Sequence, residues 1–332
     1  MNGTQSSNVS EIVQGIIRPF SVIEKAKLGA YSVLFISGLV LNLAVILLVL
    51  TKRVPRKTMH LFVVNMAFAD LLSLFTTLAF MIMHFSLRDS WGTFMIIIYY
   101  IRFMELTSLM ASPVTLVIIS MERLRAVSSS VQLSPLSRRT LLALIVFSWV
   151  VSGGVMSGEL VPDKGDFERR LMFFIIYLTF LMIPVPIIVA INIVIIRRLV
   201  RSQANLNLPE AQQMRRRRVF RSAVGMILSS ILLYFVCAAP RYATEAALLT
   251  FLYESLVTGR MEFDPDLSSS LHATSEITTV FSYVNAAFGP VIYFVFLDDF
   301  RAVLSKFVCH INFVRTGEGI EMHRRNEDDP GH

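Results

Sequence analysis

Cysteine is scarce in this chain, charge is thin and tryptophan is nearly missing. Cys237 and Cys309 are its two cysteines, and Trp91 and Trp149 its two tryptophans, among 332 residues. Cys237 falls inside an apolar stretch and Cys309 in a polar tail, so no pairing is expected, which excludes a disulfide-stapled scaffold. Charged residues make up 17% of the chain and hydrophobic residues 54%. A soluble domain carries about 25% charged residues. With a mean hydropathy of +0.61, the chain lacks the polar groups to cover its apolar surface, and lipid is the expected solvent. No secretory signal peptide is visible: residues 1–25 are polar and contain no separate apolar core, so the first apolar segment should serve as its own membrane signal. There is no internal repeat and no low-complexity domain. The net charge of +7 is therefore read through its placement along the chain, with no nucleic-acid partner implied.

What the chain does have is apolar runs long enough to cross a bilayer, which takes about 20 residues. Seven stand out, at 28–51, 59–84, 93–121, 140–160, 171–196, 222–252 and 271–296. The expected fold is an all-α membrane protein, a seven-transmembrane helix bundle plus a short amphipathic helix on the inner surface. The loops after the first, third and fifth spans are basic, with Lys52, Arg53, Arg56 and Lys57, then Arg123, Arg125, Arg138 and Arg139, then Arg197, Arg198, Arg201 and Arg215 to Arg218. The opposite loops lean acidic, through Glu159, Asp163, Asp166 and Glu168 and through Glu254, Glu262, Asp264 and Asp266. Basic loops face the cytoplasm, which places the N-terminus outside. The Asn-x-Ser/Thr sequons at Asn2 and Asn8 fall in that outer tail as glycosylation sites.

After the last span, Phe300, Val303, Leu304, Phe307 and Val308 recur at helical spacing on one face, with Arg301 and Lys306 off it. That pattern predicts a helix lying on the inner membrane surface, ending at Cys309, a palmitoylation site. The expected organisation is an outer tail (1–26), a seven-span body (27–297), the surface helix (298–310) and a charged cytoplasmic tail (311–332).

Ionisable and strongly polar groups inside spans are costly and mark functional positions. Asp70 and Asn42 lie mid-span, Ser112 in the third span and Asn285 in the seventh. One carboxylate among hydroxyl and amide oxygens suits a small hard cation such as sodium; the bland alternative is a protonated Asp70 that joins helices by hydrogen bonds. Arg102 and Glu105 share a face of the third span at i, i+3 spacing. At ~1.5 Å rise per residue, Glu105 lies about 27 Å outward of Arg123, and Arg241 about 30 Å along the sixth span from Arg221. An acid and two bases at matching depth suggest a polar pocket open to the outside. Mutual neutralisation, Glu105 with Arg102 or Arg241, is the competing reading. Pro113, Pro184, Pro186, Pro240 and Pro290 all fall inside spans, where kinked helices are tolerated.

Together these features make the chain resemble the rhodopsin-like (class A) G-protein-coupled receptor family, over about residues 26–309. Asn42 stands for the first-helix Asn, and Asn65 with "AFAD" ending at Asp70 for the second-helix pattern. Trp91-Gly92 matches the outer-loop tryptophan, Glu122-Arg123-Leu124 the acid-Arg-Tyr motif, Trp149 the fourth-helix tryptophan and Pro184 the fifth-helix proline. "CAAP" (237–240) stands where the family has Cys-Trp-x-Pro, and "NAAFGPVIY" (285–293) where it has Asn-Pro-x-x-Tyr. The departures are Ile98 in place of the disulfide cysteine, Leu124 for the tyrosine, Ala238 for the tryptophan, Gly289 for the Asn and Asn192 for the fifth-helix tyrosine.

The resemblance implies a receptor passing an extracellular signal, from a peptide or a small amine, to a heterotrimeric G protein by helix rearrangement at the plasma membrane. The implied switch residues are Glu122, Arg123, Pro240, Pro290 and Tyr293, and the implied pocket is Arg102, Glu105, Arg241, Tyr242, Glu245, Thr279 and Tyr283. Glu105 takes the place of the amine receptors' Asp. Asp70, Ser112 and Asn285 keep most of the family's sodium pocket; Gly289 removes one ligand and implies weaker sodium binding. Phe220 stands where an acid of the sixth helix often pairs with the third-helix arginine, among Arg215 to Arg218 and Arg221, which implies a weak latch and raised basal signalling. No lysine falls in a predicted span, so a retinal Schiff base is disfavoured. No other cofactor is implied. A transporter or channel is the alternative, but seven spans without an inverted repeat or paired broken helices argue against it. A membrane-embedded enzyme lacks its groups: no span carries a His/Glu metal cluster or a Ser/His/Asp set, and His60, His84 and His272 sit at span ends or the outer mouth.

Overall fold

In lipid no water is at hand for exposed backbone groups, so a spanning segment must satisfy its N–H and C=O groups internally. A computed structural model describes residues 22–86, 91–128, 136–157, 183–205, 210–258 and 265–306, together with residues 171, 175 and 179, and those residues are overwhelmingly helical. The helices run α1 (Val22–Leu50), α2 (Thr58–Ser86), α3 (Trp91–Ser128), α4 (Arg138–Met156), α5 (Pro184–Asn205), α6 (Glu210–Thr258), α7 (Pro265–Ser282) and α8 (Val284–Phe296); a last helix, α9, covers residues 298–306. Together α7 and α8 form the seventh span. Six spans among the described residues are long and apolar enough to cross a membrane: Lys25–Leu50, Thr58–Met83, Ile96–Arg125, Arg138–Met156, Val224–Leu248 and Ala273–Phe296. The first half of the predicted fifth span falls largely outside the described residues. The all-α membrane bundle is the architecture its apolar runs demand.

Several helices outrun the apolar spans that seed them. α3 continues to Ser128, so Glu122 and Arg123 sit within its closing turns and not at its end. Charge ends an apolar run, yet Glu, Arg and Leu are good helix formers and do not end the helix itself. α1 likewise begins upstream, bringing Lys25 and Lys27 onto its first turns. Several of the hydroxyls in and beside these helices are satisfied locally. Thr51, Thr115, Ser120, Ser152 and Thr244 each donate to the carbonyl one turn back, at 2.6 to 2.9 Å.

α3 is the central helix and touches α2, α4, α5 and α6. Its buried face joins Phe62, Val63 and Met66 of α2, Met226 and Ile227 of α6 and Tyr293 of α8 in the main core, with Leu116 and Ile119 from α3 itself. Opposite faces expose Leu43, Leu47, Phe75, Ile96, Phe147 and Val150, as expected of surface that meets lipid tails. Without a hydrophobic drive between helices in lipid, close approach depends on small residues. Gly38 shows this: a Cβ built there would stand 2.3 Å from Leu74 Cδ1 and 3.1 Å from Ala287 Cα, so only glycine lets α1 seat between α2 and α8.

Pro290 explains a second joint. Lacking an N–H, it leaves the carbonyl four residues earlier without its helical partner. That carbonyl belongs to Ala286, and Asn42 Nδ2 of α1 donates to it at 2.9 Å while also donating to Gly38 at 2.9 Å. A further tie links three helices: the Trp149 indole donates to Asn65 Oδ1 at 3.0 Å, and Asn65 Nδ2 donates to Thr115 Oγ1 at 3.0 Å. At the basic end, Lys57 bonds Asp299 at 2.5 Å and His60 faces the same carboxylate at 3.3 Å, fastening the α1–α2 turn to α9. Phe300 is fully buried there, against His60 and Phe294. Of the face predicted for the surface helix, Phe300 and Val303 pack inward and Leu304 is exposed. Phe307, Val308 and Cys309 lie outside the described residues.

Candidate functional site

Three polar clusters line the bundle axis, at different depths. The one farthest from the basic end gathers charge. Arg102 and Glu105 are one turn apart on α3, and the Arg102 guanidinium donates to Glu105 at 2.9 Å. Glu105 is 1% exposed and Arg102 a quarter exposed, so the pair is asymmetric: the base reaches water and the acid does not. Arg102 also lies over the Phe80 ring, 5.3 Å from its centroid. Tyr31 of α1 is buried against Tyr283, with ring centroids 5.6 Å apart, in a small cluster with Leu34, Met81 and Ala287. Glu105, Arg241 and Arg102 all lie close enough for their charges to act on the Tyr31 hydroxyl. Arg241 is half-buried. Near it, Thr244 and Thr278 join α6 to α7 at 3.4 Å, and Thr279 is partly buried. The structure thus gathers Arg102, Glu105, Arg241 and Tyr283. The side chains of Tyr242 and Glu245 fall outside those described. Tyr31 is a member that sequence reasoning missed; the one signal for it was a phenol inside an otherwise apolar run of α1.

The middle cluster surrounds Asp70. Ser112 donates to Asp70 at 3.1 Å, and both line a cavity of about 10 Å³ with Asn285, Gly289, Ser230 and Tyr293. That is about the room one water needs. Asp70, Ser112 and Asn285, picked out separately from three spans, therefore share one enclosure. Ser230 of α6 joins them, and its buried hydroxyl has no hydrogen-bond partner among the described residues. An orphaned hydroxyl beside a buried carboxylate fits a small oxygen-coordinated cation. Gly289 lies against the acid: a Cβ there would stand 3.5 Å from Asp70 Oδ2, an ordinary contact. Cys237 of α6 is buried beside the Asn285 backbone of α8.

The cluster nearest the basic end is Glu122 and Arg123. Their charged atoms approach to 3.3 Å, with both side chains largely buried. Arg123 Nε makes no directed hydrogen bond, so the contact is ionic and loosely oriented. Among the described residues no α6 carboxylate reaches Arg123; Leu124 instead packs with Ile195 of α5 and Val224 of α6. The Phe220 side chain is outside those described. Tyr293 is buried, with its hydroxyl 3.7 Å from Met66 Sδ. α6 presses on α8 through Gly225, where a Cβ would come within 2.6 Å of the Phe296 ring. That notch was not legible in the sequence, since a glycine inside an apolar run carries no sign of its partner.

Comparison with known proteins agrees with this layout. A family model described as 7 transmembrane receptor (rhodopsin family) matches residues 41–293. The mouse protein "Probable G-protein coupled receptor 34" is 24% identical over 327 residues, covering 91% of this chain and 81% of its own length. The "QRFP-like peptide receptor" of Branchiostoma floridae is 26% identical over 314 residues, 86% of this chain and 78% of its own. Rat "Somatostatin receptor type 1" is 23% identical over 301 residues, 84% and 70% respectively. The family match spans well over half the chain, and the polar clusters fall on the helices that the family's motifs mark: the chain belongs to the rhodopsin family of seven-transmembrane receptors.

Proposed function

We propose that this receptor binds an extracellular peptide and passes the signal to a heterotrimeric G protein. The observation that carries the ligand class is the Arg102–Glu105 pair: the buried acid already holds a base at 2.9 Å. A small amine would have to displace that guanidinium, whereas a peptide has enough surface to engage Arg241, Tyr283 and the pocket rim together. One relative whose name states a peptide ligand, the "QRFP-like peptide receptor", supports the same reading. Ligand binding shifts a two-state bundle and opens the inner end around Arg123, with Pro240 and Pro290 as the kinked joints. The protein acts as a transducer and not as an enzyme. It sits in the plasma membrane with its N-terminus outside, glycosylated at Asn2 and Asn8 and acylated at Cys309. Sodium held at Asp70, Ser112 and Asn285 favours the resting form.

The test is a panel of amines and a panel of peptides, applied to cells expressing the receptor with each G-protein class. A peptide response is expected, lost in Arg123→Ala at unchanged surface level. An amine agonist whose potency collapses in Glu105→Gln would overturn the peptide reading. Equal losses of coupling and of surface expression in Arg123→Ala would overturn the switch role.

A further inference from the structure

A large cleft lies between the basic end of α6 and the α8–α9 junction, with a volume of about 1080 Å³. Its walls carry Arg218 and Arg221 from α6 and Arg301 from α9, against one acid, Asp298. Asp298 is bonded to Arg301. Three guanidinium groups facing one carboxylate leave the cleft with an excess of two positive charges among its lining residues. Among the described residues neither Glu122 nor Arg123 lines it. Its remaining wall is apolar: Val295 is 54% exposed and Phe296 is partly buried beside it. Charged groups at the rim and an apolar wall along the helix match the two ends of a phospholipid.

We infer that this cleft is a binding site for a phosphorylated headgroup of an acidic lipid, held by Arg218, Arg221 and Arg301 with one acyl chain along Val295. Guanidinium groups present forked donors that suit phosphate oxygens. Juxtamembrane arginines are drawn to acidic lipid at roughly a fivefold gain per residue. Because the arginines come from two helices, a bound phosphate ties α6 to α9 and resists their separation. The inference rests on the proposed orientation, which puts these arginines at the cytoplasmic leaflet. It does not rest on G-protein coupling.

Purified receptor in phosphatidylcholine nanodiscs doped with phosphatidylinositol 4-phosphate tests it, with retained lipid counted by native mass spectrometry. Both leaflets carry the lipid in such discs, so an error in orientation leaves the measurement intact. Arg218→Gln and Arg221→Gln are each expected to weaken retention roughly fivefold. Asp298→Asn frees Arg301 and is expected to strengthen retention, a gain that a merely damaged protein would not show. Arg138→Gln and Arg139→Gln, exposed at the start of α4 and away from the cleft, serve as controls. Equal losses in cleft and control variants would mean diffuse attraction and overturn the site. Complete displacement by millimolar inorganic phosphate would overturn the lipid assignment. So would unchanged lipid retention in cleft variants that lose G-protein activation, because the arginines would then serve the protein partner.

Discussion

Substituting Gly225 by alanine puts the proposed two-state behaviour under direct strain. In the structure, which the two-state proposal takes as the resting form, the new Cβ would stand 2.6 and 2.8 Å from two carbons of the Phe296 ring. Carbon atoms attract best at about 3.5–4.0 Å, so the methyl group arrives roughly 1 Å too close. Phe296 is only partly buried and can swing, which limits the cost. Overpacking of this kind costs about 1–3 kcal/mol. The gain in helix propensity, up to about 1 kcal/mol, acts equally on both forms because the position stays helical in each. If opening parts α6 from α8, the clash weighs on the closed form alone. A cost of about 1–3 kcal/mol corresponds to roughly a 5- to 150-fold shift in the equilibrium. A resting receptor that is about 1% open would then become roughly 5% to 60% open. The assay is ligand-independent nucleotide exchange on the G protein at matched surface expression. Phe296→Leu added to Gly225→Ala should return exchange towards the parent level, and the coupling of the two changes can be read from a double-mutant cycle. Unchanged or lowered exchange in a normally expressed Gly225→Ala receptor would refute the reasoning.

Other positions make sharp contrasts. Gly38→Ala meets Leu74 and the Ala287 backbone and should lower thermal stability in detergent, by about 1–3 kcal/mol; Gly154→Ala, with nothing within 4 Å, should be neutral or slightly stabilising. Arg102→Gln strands the buried Glu105, whereas Glu105→Gln leaves a base that already reaches water. The first should therefore depress the melting temperature more, with the double variant recovering part of the loss; equal effects would argue against a buried pair. Asn65→Leu removes the partner of both Trp149 and Thr115 and should cost about 1–3 kcal/mol, read as reduced surface expression. Gly289→Asn places an amide beside Asp70 and should increase the stabilisation given by sodium over choline chloride; no change in that difference would count against a cation at Asp70.

Much of the bundle was legible because lipid imposes a simple rule: an apolar run of sufficient length must be a helix. Charge at the ends of those runs gave their predicted order through the membrane. The candidate sites were legible in part, because a carboxylate such as Asp70 or Glu105 inside an apolar run announces itself. What such a residue touches does not. From the sequence Glu105 could pair with either Arg102 or Arg241, and in the structure it accepts from Arg102 on the neighbouring turn of α3. Tyr31 and Ser230 were passed over because a phenol or a hydroxyl is ordinary in an apolar helix until its neighbours are known. Glycines are mute for the same reason: Gly38 and Gly225 matter for the atoms that face them from other helices, far away in sequence.

By itself, then, the sequence determined the solvent, the number of crossings and the kind of residue at each depth, since these follow from local hydropathy and charge. Tertiary structure decided the pairings: Asn42 on the carbonyl freed by Pro290, Arg102 on Glu105, Gly225 against Phe296, and the arginines of α6 and α9 across one cleft. Hydropathy acts over a single span and can be summed along the chain. Contact depends on helix rotation and depth, and only the packed bundle fixes those.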